Sequence, residues 1–152
     1  MKKMPCKGGV PVPAGHATIY TEKALAPGPN YCQARIVDLG GRREIYLAGQ
    51  TGNDPVYSEV VEGGIRAETI QALENIKEIL LAAGATFDHV VKVTVFMTHM
   101  DQDKAVFEEV FGSYFPNLKP ARSLVEVSKL PLPGENPRVE IEVFALMALE
   151  NV

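Results

Sequence analysis

Residues 63–98 read GGIRAETIQALENIKEILLAAGATFDHVVKVTVFMT, and within this stretch the hydrophobic period switches from helical to extended. Ile65, Thr69, Ala72, Leu73, Ile76, Leu80 and Ala83 recur at i, i+3, i+4 and i+7 spacing, with Glu and Lys opposite, which predicts an amphipathic helix. Gly63-Gly64 precede it and Gly84 is its stop. From Val90 to Thr98 the pattern alternates: Val91, Val93, Val95 and Met97 on one face, Lys92, Thr94, Phe96 and Thr98 on the other. A helix that feeds a half-buried strand has to lie on the apolar side of that strand, so a helix-on-sheet layer follows.

Working outward, Ala17–Thr21 and Tyr31–Leu39 read as strands. Gly40-Gly41 is a hairpin turn into Glu44–Ala48, and Asn53-Asp54-Pro55 ends that strand. Toward the C-terminus, Asp101 is the expected cap of a second helix running to Tyr114, with Val106, Val110 and Tyr114 on its inner stripe. Two strands follow, over Arg122–Ser128 and Val139–Leu146, joined by the stiff loop Pro131–Pro137. The order β-β-β-α-β-α-β-β predicts an α+β fold, a mostly antiparallel sheet backed by two helices. Residues 1–16, rich in Lys, Gly and Pro, read as a flexible N-terminal tail ahead of a single domain, 17–152.

Composition excludes several function classes. Fifteen Lys+Arg against 19 Asp+Glu give a formal charge of −4, poorly suited to neutralising phosphates, so no nucleic-acid partner is expected. No apolar run reaches the length of a membrane helix, and the basic start Met1–Lys7 lacks a signal-peptide core, so a cytoplasmic address is expected. Two cysteines, Cys6 and Cys32, make no disulfide framework. His16, His89 and His99 stand in no metal-ligand spacing, and neither a G-x-S-x-G elbow nor a phosphate loop is present.

Three features depart from a plain structural sheet. Glu140 and Glu142 share a strand face with Phe144 and Leu146, a half-apolar outer face of the kind that marks a subunit interface. Arg122 opens a strand directly after Pro120-Ala121, and Ala48-Gly49-Gln50 ends one with a glycine that lets backbone approach a ligand. The bland reading of the two glutamates is a solvated face, and that of Arg122 a surface cation or ion-pair partner.

Tyr31-Cys32-Gln33-Ala34, Ala48-Gly49-Gln50, residues 69–76 (TIQALENI), residues 90–96 (VVKVTVF), Pro120-Ala121-Arg122-Ser123 and Val139-Glu140-Ile141-Glu142 resemble, in order, successive blocks of the reactive intermediate deaminases, the RidA or YjgF-like proteins. The resemblance covers about residues 17–146. It implies a chorismate-mutase-like fold assembled as a homotrimer with sites in the clefts between subunits. It further implies that Arg122 binds a substrate carboxylate, Glu140 positions the attacking water, Tyr31 lines the cleft and the Gly49 backbone contacts the ligand. Two positions depart from the pattern: Phe107 stands where an asparagine is common in the second helix, and Leu124 replaces a small residue or cysteine. Both are expected to line the substrate pocket and make it more apolar or smaller. The implied reaction is hydrolytic deamination of a small enamine or imine such as 2-aminoacrylate, with no cofactor and no metal. The alternative is a trimeric protein that binds a carboxylate metabolite without turning it over.

Overall fold

The computed structural model describes residues 13–132 and 136–150; most of the N-terminal tail, with Cys6, and the middle of the Pro131–Pro137 loop lie outside the described residues. The elements run β1 (His16–Ile19), β2 (Ala34–Asp38), β3 (Arg42–Leu47), β4 (Gln50–Thr51), α1 (Gly64–Ala82), a 3-10 turn (Phe87–His89), β5 (Val90–Met97), α2 (Met100–Tyr114), β6 (Ala121–Glu126) and β7 (Val139–Ala148). One sheet has the order β1-β2-β3-β7-β5-β6, with β4 also pairing β7. Every pairing is antiparallel except β5 with β6, which the α2 crossover makes parallel. The α+β expectation holds, with one short strand, β4, beyond those anticipated.

The core lies between sheet and helices. Leu73, Ile76, Ile79 and Leu80 of α1 meet Ile45 of β3, Val93, Val95 and Met97 of β5, and Val139, Ile141 and Ala145 of β7, all fully buried. Gly84 ends α1 as expected. Its φ of +85° lets Gly84 N–H reach the Leu81 carbonyl and Ala85 N–H the Leu80 carbonyl, a Schellman closure.

Three local expectations are corrected. Val91 does not share the inner face of β5: a bulge between Val90 and Lys92 turns Val90 into the core and leaves Val91 exposed. Asp101 does not cap α2; the helix starts at Met100 with His99 at the cap position, two residues before the expected cap, and Glu126 of β6 accepts the Met100 N–H at 3.0 Å. The inner stripe of α2 is rotated from the expected Val106-Val110-Tyr114, its buried residues being Asp103, Phe107, Val110 and Phe111. Tyr114 instead donates its hydroxyl to Glu74 of α1 at 2.7 Å.

A second bulge shapes the sheet at β3–β4. Tyr46 pairs with Phe144 and Gln50 with Ile141, so β3–β4 advances four residues while β7 advances three. The surplus residue falls in Leu47-Ala48-Gly49. Asn75 of α1, fully buried, fixes the far side of this kink by donating to the carbonyls of Thr51 (3.3 Å) and Asn53 (3.0 Å).

Candidate functional site

Glu140 sits on the face of β7 turned away from the helices, opposite Phe96 of β5 and Thr51 of β4. The bulge brings Gly49 directly onto its carboxylate. A Cβ at position 49 would overlap Glu140 Oε1 and lie 2.8 Å from Cδ, so only glycine fits beside this side chain as it stands. Glu140 is half-buried, and among the described residues no cation or hydrogen-bond donor pairs with it. Its pKa is raised, first by burial and then by the neighbouring Glu142 carboxylate. Tyr31, more than half exposed, lies in the loop before β2, and that loop is tied to the same bulge where Ala48 N–H donates to the Gln33 carbonyl at 2.9 Å. Gln33 is buried and holds the preceding loop by accepting from Thr21 N–H and donating to the Thr21 and Leu25 carbonyls.

Arg122 belongs to the other side of the sheet. It is paired with Val93, whose side chain is in the core, so its own side chain points toward α2. There both Nη atoms donate to Glu108, at 2.9 and 2.5 Å, and the guanidinium carbon lies 4.8 Å from the Phe111 ring centre and 5.6 Å from that of Phe107. Charge-assisted bonds to Glu108 and the two neighbouring aromatic rings, whose centres are 5.4 Å apart, fix this fork. Arg122 in turn holds the Glu108 carboxyl below the usual carboxylate range, with a smaller contribution from Lys104. A groove of about 350 Å³ opens here, lined by Glu108, Phe111, Phe115, Lys119, Pro120 and Arg122.

The structure therefore brings the expected residues together in two groups. Gly49 and Glu140 touch, with Tyr31 in the adjoining loop. Arg122, Phe107 and Leu124 gather at the β5-α2-β6 crossover, where Leu124, paired with Val95, packs partly buried against the core. Phe107 has no exposed surface at all; its ring supports the arginine from beneath instead of walling an open cleft. The α2 residue that meets the fork is Glu108, one position on. Sequence reasoning missed Glu108 and Phe111; the helical spacing of Phe107, Phe111 and Phe115 was the available signal.

Among the described residues no His, Cys, Asp and Glu cluster could hold a metal ion, and no helix is long and apolar enough to cross a membrane.

Two helices on a mixed, mostly antiparallel sheet, with a glutamate held against a glycine bulge, define an α+β fold of the Rid type. The family model described as Endoribonuclease L-PSP matches residues 21–147, and the chain belongs to this family, the RidA/YjgF proteins. It is 44% identical over 128 residues to the 2-iminobutanoate/2-iminopropanoate deaminase of Bos taurus, spanning 84% of this chain and 88% of the relative. It is 43% identical over 127 residues to a RutC family protein of Pyrococcus horikoshii, spanning 84% of this chain and 94% of the relative. Among solved structures, RidA from an Antarctic Psychrobacter superposes with a TM-score of 0.75 at 40% identity, covering 86% of this chain and 98% of that one.

Proposed function

We propose that this protein hydrolyses small reactive imines and enamines of the 2-aminoacrylate type, releasing a 2-oxo acid and ammonia. The observation that supports this reading most is the Glu140 carboxylate: half-buried, uncompensated by any described cation, raised in pKa and packed on the Gly49 backbone. The deaminase names of relatives more than 40% identical agree with it.

The enamine first tautomerises to the imine, whose carbon is already electrophilic, so the chemistry asks for no metal or organic cofactor. Glu140 accepts a proton from a water as the water oxygen bonds to that carbon. That proton passes to nitrogen to give a carbinolamine; Glu140 then takes the hydroxyl proton and returns it to the amine, so that the C–N bond breaks and ammonia leaves as the carbonyl forms. Arg122 anchors the substrate carboxylate and Tyr31 bounds the cleft. Holding water and imine in register supplies much of the acceleration.

Because Arg122 and Glu140 lie on opposite faces of one sheet, two strands apart, the reading requires a second copy to complete the site. We infer a homotrimer whose subunits bury the open sheet face. That face leaves Tyr46, Val125 and Leu146 exposed beside Phe144, an apolar surface suited to an interface.

The test is ammonia release from 2-aminoacrylate generated in place by a dehydratase. A rate well above the protein-free blank is expected. A rate equal to the blank overturns the proposal.

A further inference from the structure

The loop that leads from β4 into α1 turns at a tip whose two apolar side chains stand in solvent. Val56 and Tyr57 are 77% and 76% exposed, the highest values for large apolar side chains among the described residues. Their backbone is nevertheless firmly held. Asp54 accepts both of their N–H groups on Oδ1, at 2.8 and 3.0 Å, and its carbonyl accepts the Ser58 N–H at 2.8 Å. Asn53 Nδ2 donates to the Ser58 carbonyl at 2.9 Å, and Asn53 bridges Val60. Ser58 sits at φ +61°, a left-handed conformation that residues other than glycine rarely adopt. A tip ordered in advance gives up little freedom when it docks.

Its place in the fold selects the occupant. Thr51, the strand partner of Glu140, donates its hydroxyl to Asn53 at 2.5 Å, so the tip is built onto the strand beside Glu140. The Arg122 groove, about 350 Å³, has far more room than a substrate the size of 2-aminoacrylate fills, and Phe111, Phe115 and Pro120 give it apolar walls. Leu118, 59% exposed, adjoins the groove residue Lys119. The charges are complementary as well. Asp54, Glu59 and Glu62 flank the tip; in the groove Glu108 and Arg122 offset one another and exposed Lys119 adds a positive charge. We propose that the neighbour relation that sets Glu140 of one copy against Arg122 of the next also seats Val56 and Tyr57 of the first copy in the groove of the second. Each chain then gives one tip and receives one, a head-to-tail contact that can close into a ring. This rests on the proposed deaminase reading for which surfaces of two copies meet, and not for turnover.

Photocrosslinking of the full chain tests the contact without needing turnover. Tyr57→p-benzoylphenylalanine protein is prepared in isotopically light and heavy forms, which are mixed, dissociated, reassembled and irradiated. Peptides that join one light and one heavy chain then report contacts between copies. The crosslink should run between copies and end within residues 111–120 of the neighbour. Val56→Ser combined with Tyr57→Ser, shown to be folded by its melting curve, should raise the concentration at which the assembly half-dissociates about tenfold or more. Crosslinks that stay within one chain, that end elsewhere on the neighbour or that do not form overturn the proposal. So does a double variant that assembles as tightly as the parent. Failure of the deaminase reading shows separately, as absent ammonia release by a protein whose crosslinks end where expected; an active assembly without that crosslink loses the docking alone.

Discussion

Glu140 is the residue at which the proposed function and stability oppose one another. Burial and Glu142 raise its pKa, so the folded chain holds this proton more tightly than the unfolded chain does. The stabilising contribution is complete below the ordinary value of 4.5 and is lost as pH rises through the elevated folded value. Glu140→Gln removes the ionisation and keeps the shape. It should melt above the parent at about pH 8 and converge with it near about pH 4, while kcat falls about a hundredfold or more. A variant that melts lower at the alkaline end would show that the ionised carboxylate has an unrecognised partner. Arg122 gives a second test, because its planar fork and its packing on Phe111 are both features that an ammonium cannot reproduce. Arg122→Lys should lower kcat/KM by about 10- to 100-fold, and near-parental kinetics would place substrate binding elsewhere. At this scale the chemistry-bearing residues were legible as types: a glutamate on a half-apolar strand face, a glycine at a strand end. Their partners were not. Whether Phe107 or Glu108 meets Arg122 depends on roughly 100° of helix rotation, and two adjacent aromatic-rich stripes made the periodicity of α2 ambiguous.

At the scale of elements, the bulge at Leu47-Ala48-Gly49 determines where Glu140 stands, and α1 determines the bulge. Asn75 is the connection, since its buried amide donates to two carbonyls of the β4 region and accepts from Gln71 at 2.9 Å. Asn75→Ala leaves those carbonyls without their donor and should cost about 1–3 kcal/mol, read as a lower urea midpoint. Loss of activity should accompany it well before unfolding, because Gly49 and Glu140 move with β4. Unchanged stability would mean that solvent replaces the amide freely. The long, strongly periodic segments α1, β5 and β7 were readable because each has one face that must be buried. The bulges were not, since one surplus residue leaves the alternation of the neighbouring stretches intact and only shifts their phase. The cap of α2 was missed for another reason: Glu126, its source, is far away in sequence and no local pattern announces it.

For the whole molecule, the proposed deaminase site forms only between copies, Arg122 from one subunit and Glu140 from its neighbour. Each chain alone separates them by the thickness of its sheet and by the intervening strand β5. The exposed apolar residues of the open face are the surface that assembly would remove from water, worth roughly 25 cal/mol per Å² buried. The most direct measurement is complementation. Arg122→Ala and Glu140→Gln proteins, each inactive alone, are mixed, dissociated and reassembled at equal ratio, and ammonia release is then followed. Random trimers made this way contain intact pairings at about a quarter of their interfaces, so about a quarter of the parental activity should return. A mixture as inactive as its two components would contradict the shared site.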